Sequence, residues 1–205
     1  MAKGILHTFG DSFAWTNTNW VKHIERKGNY IGTNINAVGG SSLYHLLVQL
    51  EENKHKIKEE DGVIICLTQH NRRLFKGHHF FATGFDKGNP HYDDYLKYFF
   101  DDRESTIFGA AIVDSIIGIQ IPKLNTNNVA YFYSVDKEVE EFSSLPPDPY
   151  PAIWQLVRQF IDSQDKDLDI EYIKMKSPNH WVDDPLYEEL FFSTYRNKID
   201  KLVNR

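Results

Sequence analysis

The chain has 205 residues, 41 % of them hydrophobic and 25 % charged, with a formal net charge of −6 at pH 7. Its Lys and Arg residues are scattered, so the composition excludes the basic stripe that nucleic acid or an anionic membrane would recruit. Cys66 is the only cysteine, which rules out an intrachain disulfide, and no N-terminal apolar segment reads as a secretion signal or a membrane span.

The expected setting is the cytoplasm, or a viral particle assembled inside a cell. The length suits a single α/β domain over 1–205. Gly4 to Phe9 is a short, mostly apolar run that stops at Gly10-Asp11-Ser12, the pattern of a buried parallel strand entering a turn. Trp20 to Lys27 spaces Val21 and Ile24 three apart before Gly28 and predicts a first helix. Tyr30 to Val38 predicts a second strand, ending at Gly39-Gly40-Ser41-Ser42, where a helix can be capped. Leu43, Leu46, Leu47 and Leu50 then fall on one helical face over 43–57.

Val63 to Leu67 is an uninterrupted apolar strand that runs into Thr68-Gln69-His70-Asn71-Arg72. From Leu74 to about Asp102 the periodicity is lost and Phe, Tyr, His and Gly accumulate, which predicts a long loop inserted at 74–102 over a site or contact surface. Helical spacing returns from Thr106 to Ile121 and is closed by Pro122. Val129 to Tyr133 predicts another strand, 136–151 an acidic then Pro-rich excursion, 153–161 a helix, 170–175 a last strand, and 186–203 a C-terminal helix. Strands alternating with helices predict a three-layer α/β sandwich around a mostly parallel sheet.

Ligands of such sheets bind at the carboxyl ends of the strands. Three of those ends carry polar or Gly-rich turns, and a late loop brings His180. A serine hydroxyl needs an imidazole to take its proton, and an oxyanion needs donors that side chains do not obstruct. Gly10-Asp11-Ser12-Phe13, Asn36-Ala37-Val38-Gly39-Gly40-Ser41-Ser42 and a late His ahead of an amphipathic helix together resemble the SGNH (GDSL-like) hydrolase family. The resemblance implies a flavodoxin-like fold and ester hydrolysis of a small-molecule or carbohydrate substrate, of the carboxylesterase or O-deacetylase type. Carried over to this chain, it implies Ser12 as nucleophile, His180 as general base, and the N–H groups of Ser12 and Gly40 as the oxyanion hole.

Two departures accompany it. The family's Gly-x-Asn-Asp block is replaced by Leu67 to Asn71, so either Gln69 or Asn71 takes the place of the third oxyanion donor. Its Asp-x-x-His block has Ser177 at the acid position, so His180 is held by a backbone carbonyl, or Asp183 or Asp184 supplies the acid, or the site is impaired. An impaired site would leave a binding or structural module with the same fold.

Asp11 reads as an acceptor for turn amides rather than an acid catalyst. Cys66 reads as a buried small hydrophobe. Arg72-Arg73 reads as a solvated pair, with recognition of a substrate carboxylate or phosphate as the sharper possibility. His70, His78, His79 and His91, with Asp86, Asp93 and Asp94, are the histidines and acids that could gather round a metal. Adjacent residues rarely converge on one ion, so neither a metal nor another cofactor is expected.

Overall fold

The computed structural model describes residues 4–14, 19–75, 78–81, 91–94, 101–163, 182 and 184–204. Among these, four strands form one parallel sheet: β1 (Leu6–Phe9), β2 (Thr33–Ile35), β3 (Gly62–Leu67) and β6 (Val129–Tyr133), in the order β2-β1-β3-β6. Leu6 to Phe9 pair with Gly62 to Ile65, and Val63 to Leu67 pair with Val129 to Tyr133. All of β1 and β3 is buried; β3 is an uninterrupted apolar run, as covering both faces of a sheet favours, whereas β1 also buries His7, whose Nε2 lies 3.1 Å from Asp61 Oδ2, and Thr8.

Alternation divides the core in two. Leu6, Ile64, Cys66, Ala130 and Phe132 face one layer. That layer holds α1 (Asn19–Lys27), α4 (Ile153–Ser163), α5 (Pro185–Thr194) and α6 (Arg196–Val203). Phe9, Val63, Ile65, Leu67 and Tyr133 face the other, made by α2 (Leu43–Asn53) and α3 (Asp102–Ser115). The protein is therefore a three-layer α/β sandwich with a parallel central sheet. The β1–α1–β2 and β2–α2–β3 crossovers pass on opposite faces, which makes the gap between β1 and β3 a topological switch point.

Several elements differ from the sequence-based expectation. Residues 72–81, expected to lie largely in a loop, include an antiparallel hairpin of β4 (Arg72–Phe75) and β5 (His78–Phe81). The adjacent pairs Arg72-Arg73, Leu74-Phe75, His78-His79 and Phe80-Phe81 carry no apolar-in, polar-out alternation. The following helix begins four residues earlier than its apolar spacing suggested, because Asp101 caps it by accepting from Glu104 N–H at 2.8 Å. It then widens to a π turn over Ile116–Gln120 and ends in a 3-10 turn, Ile121–Lys123, that contains Pro122. By length and composition Arg103–Lys123 could cross a membrane, and 44 % of its most apolar window is buried within the fold.

The expected C-terminal helix is two helices broken at Tyr195. Tyr195 is buried, its hydroxyl donates to Pro151 O at 2.8 Å, and its ring lies 4.8 Å from that of Phe191. Tertiary packing of this ring outweighs the continuous helical spacing on either side. The candidate strand at 170–175 and much of the 74–102 insertion lie outside the described residues.

Candidate functional site

Where β1 ends, Gly10 turns the chain with φ +123°, and a Cβ there would sit 2.3 Å from Cys66 O, so only glycine fits against β3. Asp11 follows, fully buried. Its Oδ1 accepts from Phe13 N–H at 3.1 Å and from Ser134 Oγ at 3.2 Å, while Oδ2 accepts from Arg72 Nη1 at 3.2 Å. Asp11 thus joins the turn after β1 to the residue after β6 and to the first residue of β4. Ser12 opens a 3-10 turn, Ser12–Ala14, and is half-buried at the β1 side of the switch point. The turn is pinned by Ala14 N–H donating to Asp11 O at 3.0 Å and by Trp20 Nε1 donating to Phe13 O at 3.2 Å.

The loop after β2 is drawn to the same place. Val38 N–H donates to Gly10 O at 3.0 Å. Gly40 has φ +77°, and no atom lies within 4 Å of the position a Cβ would take, so its backbone can be approached closely. Ser42 caps α2 by accepting from His45 N–H at 3.2 Å. Gln49, in the buried stripe of α2 beside Leu46 and Leu50, accepts from Gly10 N–H at 2.9 Å and donates to Gly10 O at 3.2 Å and to Ser41 Oγ at 3.0 Å. Sequence reading passed over Gln49, although a glutamine inside an apolar helical stripe was a visible signal.

The loop after β3 carries the other residues under consideration. Gln69 Nε2 donates to Asp136 Oδ2 at 3.2 Å, and Arg72 N–H reaches back to Gln69 O at 3.4 Å, closing a turn around half-buried Asn71. Arg72 corrects the expectation of a solvated pair. It is only 9 % exposed and ion-paired to a buried carboxylate sixty-one positions away, a partner no local pattern could reveal. His70 is buried, with Nε2 3.6 Å from Glu138 Oε2 and Nδ1 4.0 Å from Asp136 Oδ1. Among the described residues Asp136 and Glu138 are the acids grouped with it, and Asp86 of the grouping expected from the sequence lies outside those residues. The signal for Asp136 and Glu138 was their position directly after the fourth parallel strand, at the edge where the other loops also emerge.

A cavity of about 200 Å³ opens beside this edge, lined by Leu43, Tyr44, Phe108 and Ile112 with His70 and Arg72 among its polar walls. Gly109 lets α3 close on it: a Cβ there would stand 2.8 Å from His70 Cβ and 3.0 Å from Val139 Cγ1. Ser12 is not among the lining residues, and the Arg72–Asp11 pair is the connection between the cavity and the Ser12 turn.

Ser12, Gly40, Gln69 and Asn71 therefore occupy loops at the carboxyl ends of the neighbouring strands β1, β2 and β3. Ser177, His180 and Asp183 lie outside the described residues. Asp184, the other carboxylate near His180 in sequence, caps α5 by accepting from Leu186 N–H at 2.8 Å. Burial, reinforced by the Asp11 charge, raises the Cys66 thiol well above its ordinary range, so this cysteine is a packing residue and not a nucleophile. Comparison with protein-family models gives no match to this chain, and neither does comparison with curated protein sequences.

Proposed function

We propose that the protein is a serine hydrolase that cleaves an ester of a small molecule or carbohydrate, with Ser12 as the nucleophile. The observation that carries this reading is the position of Ser12 at the head of a helical turn beside the β1/β3 switch point, where doubly wound sheets bind their ligands. The open, left-handed Gly40 in the adjoining loop supports an oxyanion hole made of the N–H groups of Ser12 and Gly40. Ser12 Oγ attacks the acyl carbon, His180 takes the hydroxyl proton and returns it to the leaving alcohol, and water then releases the acyl group by the same route. The Gln69 amide donates to Asp136, and Asn71, half-buried in the same loop, is the alternative side-chain donor to the oxyanion.

The engagement of Gln69 and the capping role of Asp184 favour, as a second reading, a module of the same fold that binds without turnover. One experiment separates the two. A fluorophosphonate probe and short-chain p-nitrophenyl or acetylated-sugar esters are offered to the folded protein and to Ser12→Ala. Labelling and turnover that disappear in Ser12→Ala, with His180→Ala at least about a thousandfold slower, support hydrolysis. Undiminished turnover in Ser12→Ala, or no labelling of intact folded protein, defeats it.

A further inference from the structure

We propose that His70, Asp136 and Glu138 form a binding site for a divalent cation of the zinc type. The register that pairs Leu67 with Tyr133 leaves His70 and Asp136 each three residues beyond its strand, so the two loops arrive side by side at the sheet's edge. Glu138 follows in the first turn of the 3-10 segment Glu138–Glu141. One ligand atom from each residue lies within 4.8 Å of the other two.

His70 faces the two acids through different ring nitrogens, with Nε2 3.6 Å from Glu138 Oε2 and Nδ1 4.0 Å from Asp136 Oδ1, both beyond a good hydrogen bond. An ion takes one of these nitrogens. Ligands held about 2.0–2.2 Å from a zinc ion in tetrahedral geometry stand roughly 3.4 Å apart, so an ion on Nδ1 needs the His70–Asp136 pair to close by about 0.6 Å and Glu138 to swing across from the Nε2 side. Glu138 can make that swing, because its side chain is 65 % exposed.

The other two ligands are already held. Gln69 Nε2 fixes Asp136 Oδ2, and Glu138 N–H donates to Asp136 Oδ1 at 3.4 Å, which is the supporting shell that sets a ligating carboxylate. His70 is clamped beneath Gly109 of α3. Lys137, between the two acids in sequence, is turned away to Glu140 at 3.0 Å and to Asp148 O, so it does not neutralise them. One imidazole with two carboxylates selects a borderline divalent ion over Mg²⁺ or Ca²⁺, which favour oxygen alone.

Isothermal titration of the whole chain with Zn²⁺ tests the site without reference to turnover. One equivalent should bind, with affinity at least about tenfold weaker in Asp136→Asn, Glu138→Gln and His70→Gln, and weaker also in Gln69→Leu. Glu138→Gln alters an exposed side chain and keeps the test valid if the buried His70 variant fails to fold. Binding of Zn²⁺ that is indifferent to Asp136→Asn and Glu138→Gln belongs to other histidines and overturns the proposal. Absence of one-equivalent binding, or displacement of Zn²⁺ by equimolar Mg²⁺ or Ca²⁺, does so too.

Discussion

Gln49 hydrogen-bonds both backbone groups of Gly10, accepting from its N–H at 2.9 Å and donating to its carbonyl at 3.2 Å. One side chain from α2 thus satisfies the backbone that β1 leaves behind where it ends, and through Ser41 it reaches the Gly40 loop as well. Gln49→Leu keeps the volume and removes all three bonds. It should cost about 1–3 kcal/mol, since the Gly10 N–H is left buried without its acceptor while the carbonyl keeps its bond from Val38 N–H. The shift in urea midpoint measures this, and slower fluorophosphonate labelling of the protein that remains folded would report loosening of the Ser12 turn.

Gly10→Ala and Gly40→Ala should behave differently although both glycines have positive φ. At Gly10 the new methyl meets Cys66 O at 2.3 Å and Cys66 Cβ at 2.9 Å. Strain and overpacking add there, and a loss of about 3 kcal/mol or more is expected. At Gly40 there is nothing to meet, so only the left-handed backbone term of about 1–2 kcal/mol applies. Thermal unfolding should therefore separate the two variants clearly. Gly40→Ala should fold and still lose turnover, because its methyl crowds the proposed oxyanion donor.

Arg72→Met should be more damaging than a surface arginine change. It strands the buried carboxylate of Asp11, and removing one partner of a buried pair costs about 3–5 kcal/mol. The double variant Arg72→Met/Asp11→Asn should recover part of that loss, since no uncompensated charge is left inside. Chemical denaturation of the two single variants and the double gives the coupling directly.

Stability should fall steeply in alkali. Burial raises the phenols of Tyr131, Tyr133, Tyr187 and Tyr195 above the ordinary value of 10.0. Their contribution is fully present below pH 10. Above it the unfolded chain sheds these protons and the folded protein keeps them, so stability drops by up to about 1.4 kcal/mol per pH unit for each of Tyr133, Tyr187 and Tyr195. Lys198 works in the opposite sense: burial holds it below 10.5 despite its bond to Asp148, so its own term rises with pH up to that value. One amine softens the fall without reversing it. Urea midpoints from about pH 9 to about pH 11 check the slope, and Tyr187→Phe should make it shallower.

The parts of the fold that were legible in the sequence are those whose local pattern and tertiary role agree. Val63 to Leu67 has no polar interruption because both faces of β3 are covered, and Leu43, Leu46 and Leu50 share a stripe because α2 has one buried side. The β4–β5 hairpin was hidden because its composition follows neither period. Tyr195 broke an apparently continuous helix because its partner, Pro151 O, lies forty-four positions upstream.

The candidate site follows the same division. Gly10, Ser12 and Gly40 announce themselves by position after strands, whereas the company each polar side chain keeps does not. Arg72 with Asp11, and His70 with Asp136 and Glu138, are consequences of strand order and register. Nothing within a few residues of any of them specifies the pairing.

Cys66 gives the protein an internal clock for its own opening. Cys66 sits on a central strand with Gly10 pressed against its backbone and Cβ, and burial keeps its thiol in the unreactive protonated form. A thiol reagent in solution therefore reads only the moments when the helical layer over this face lifts or the sheet itself opens. Because Phe13 and Ala14 of the Ser12 turn pack in the same cluster as Cys66, comparing the rate at which Cys66 is captured with the rate of global unfolding distinguishes a layer that opens locally around that turn from one that moves only when the whole sheet comes apart.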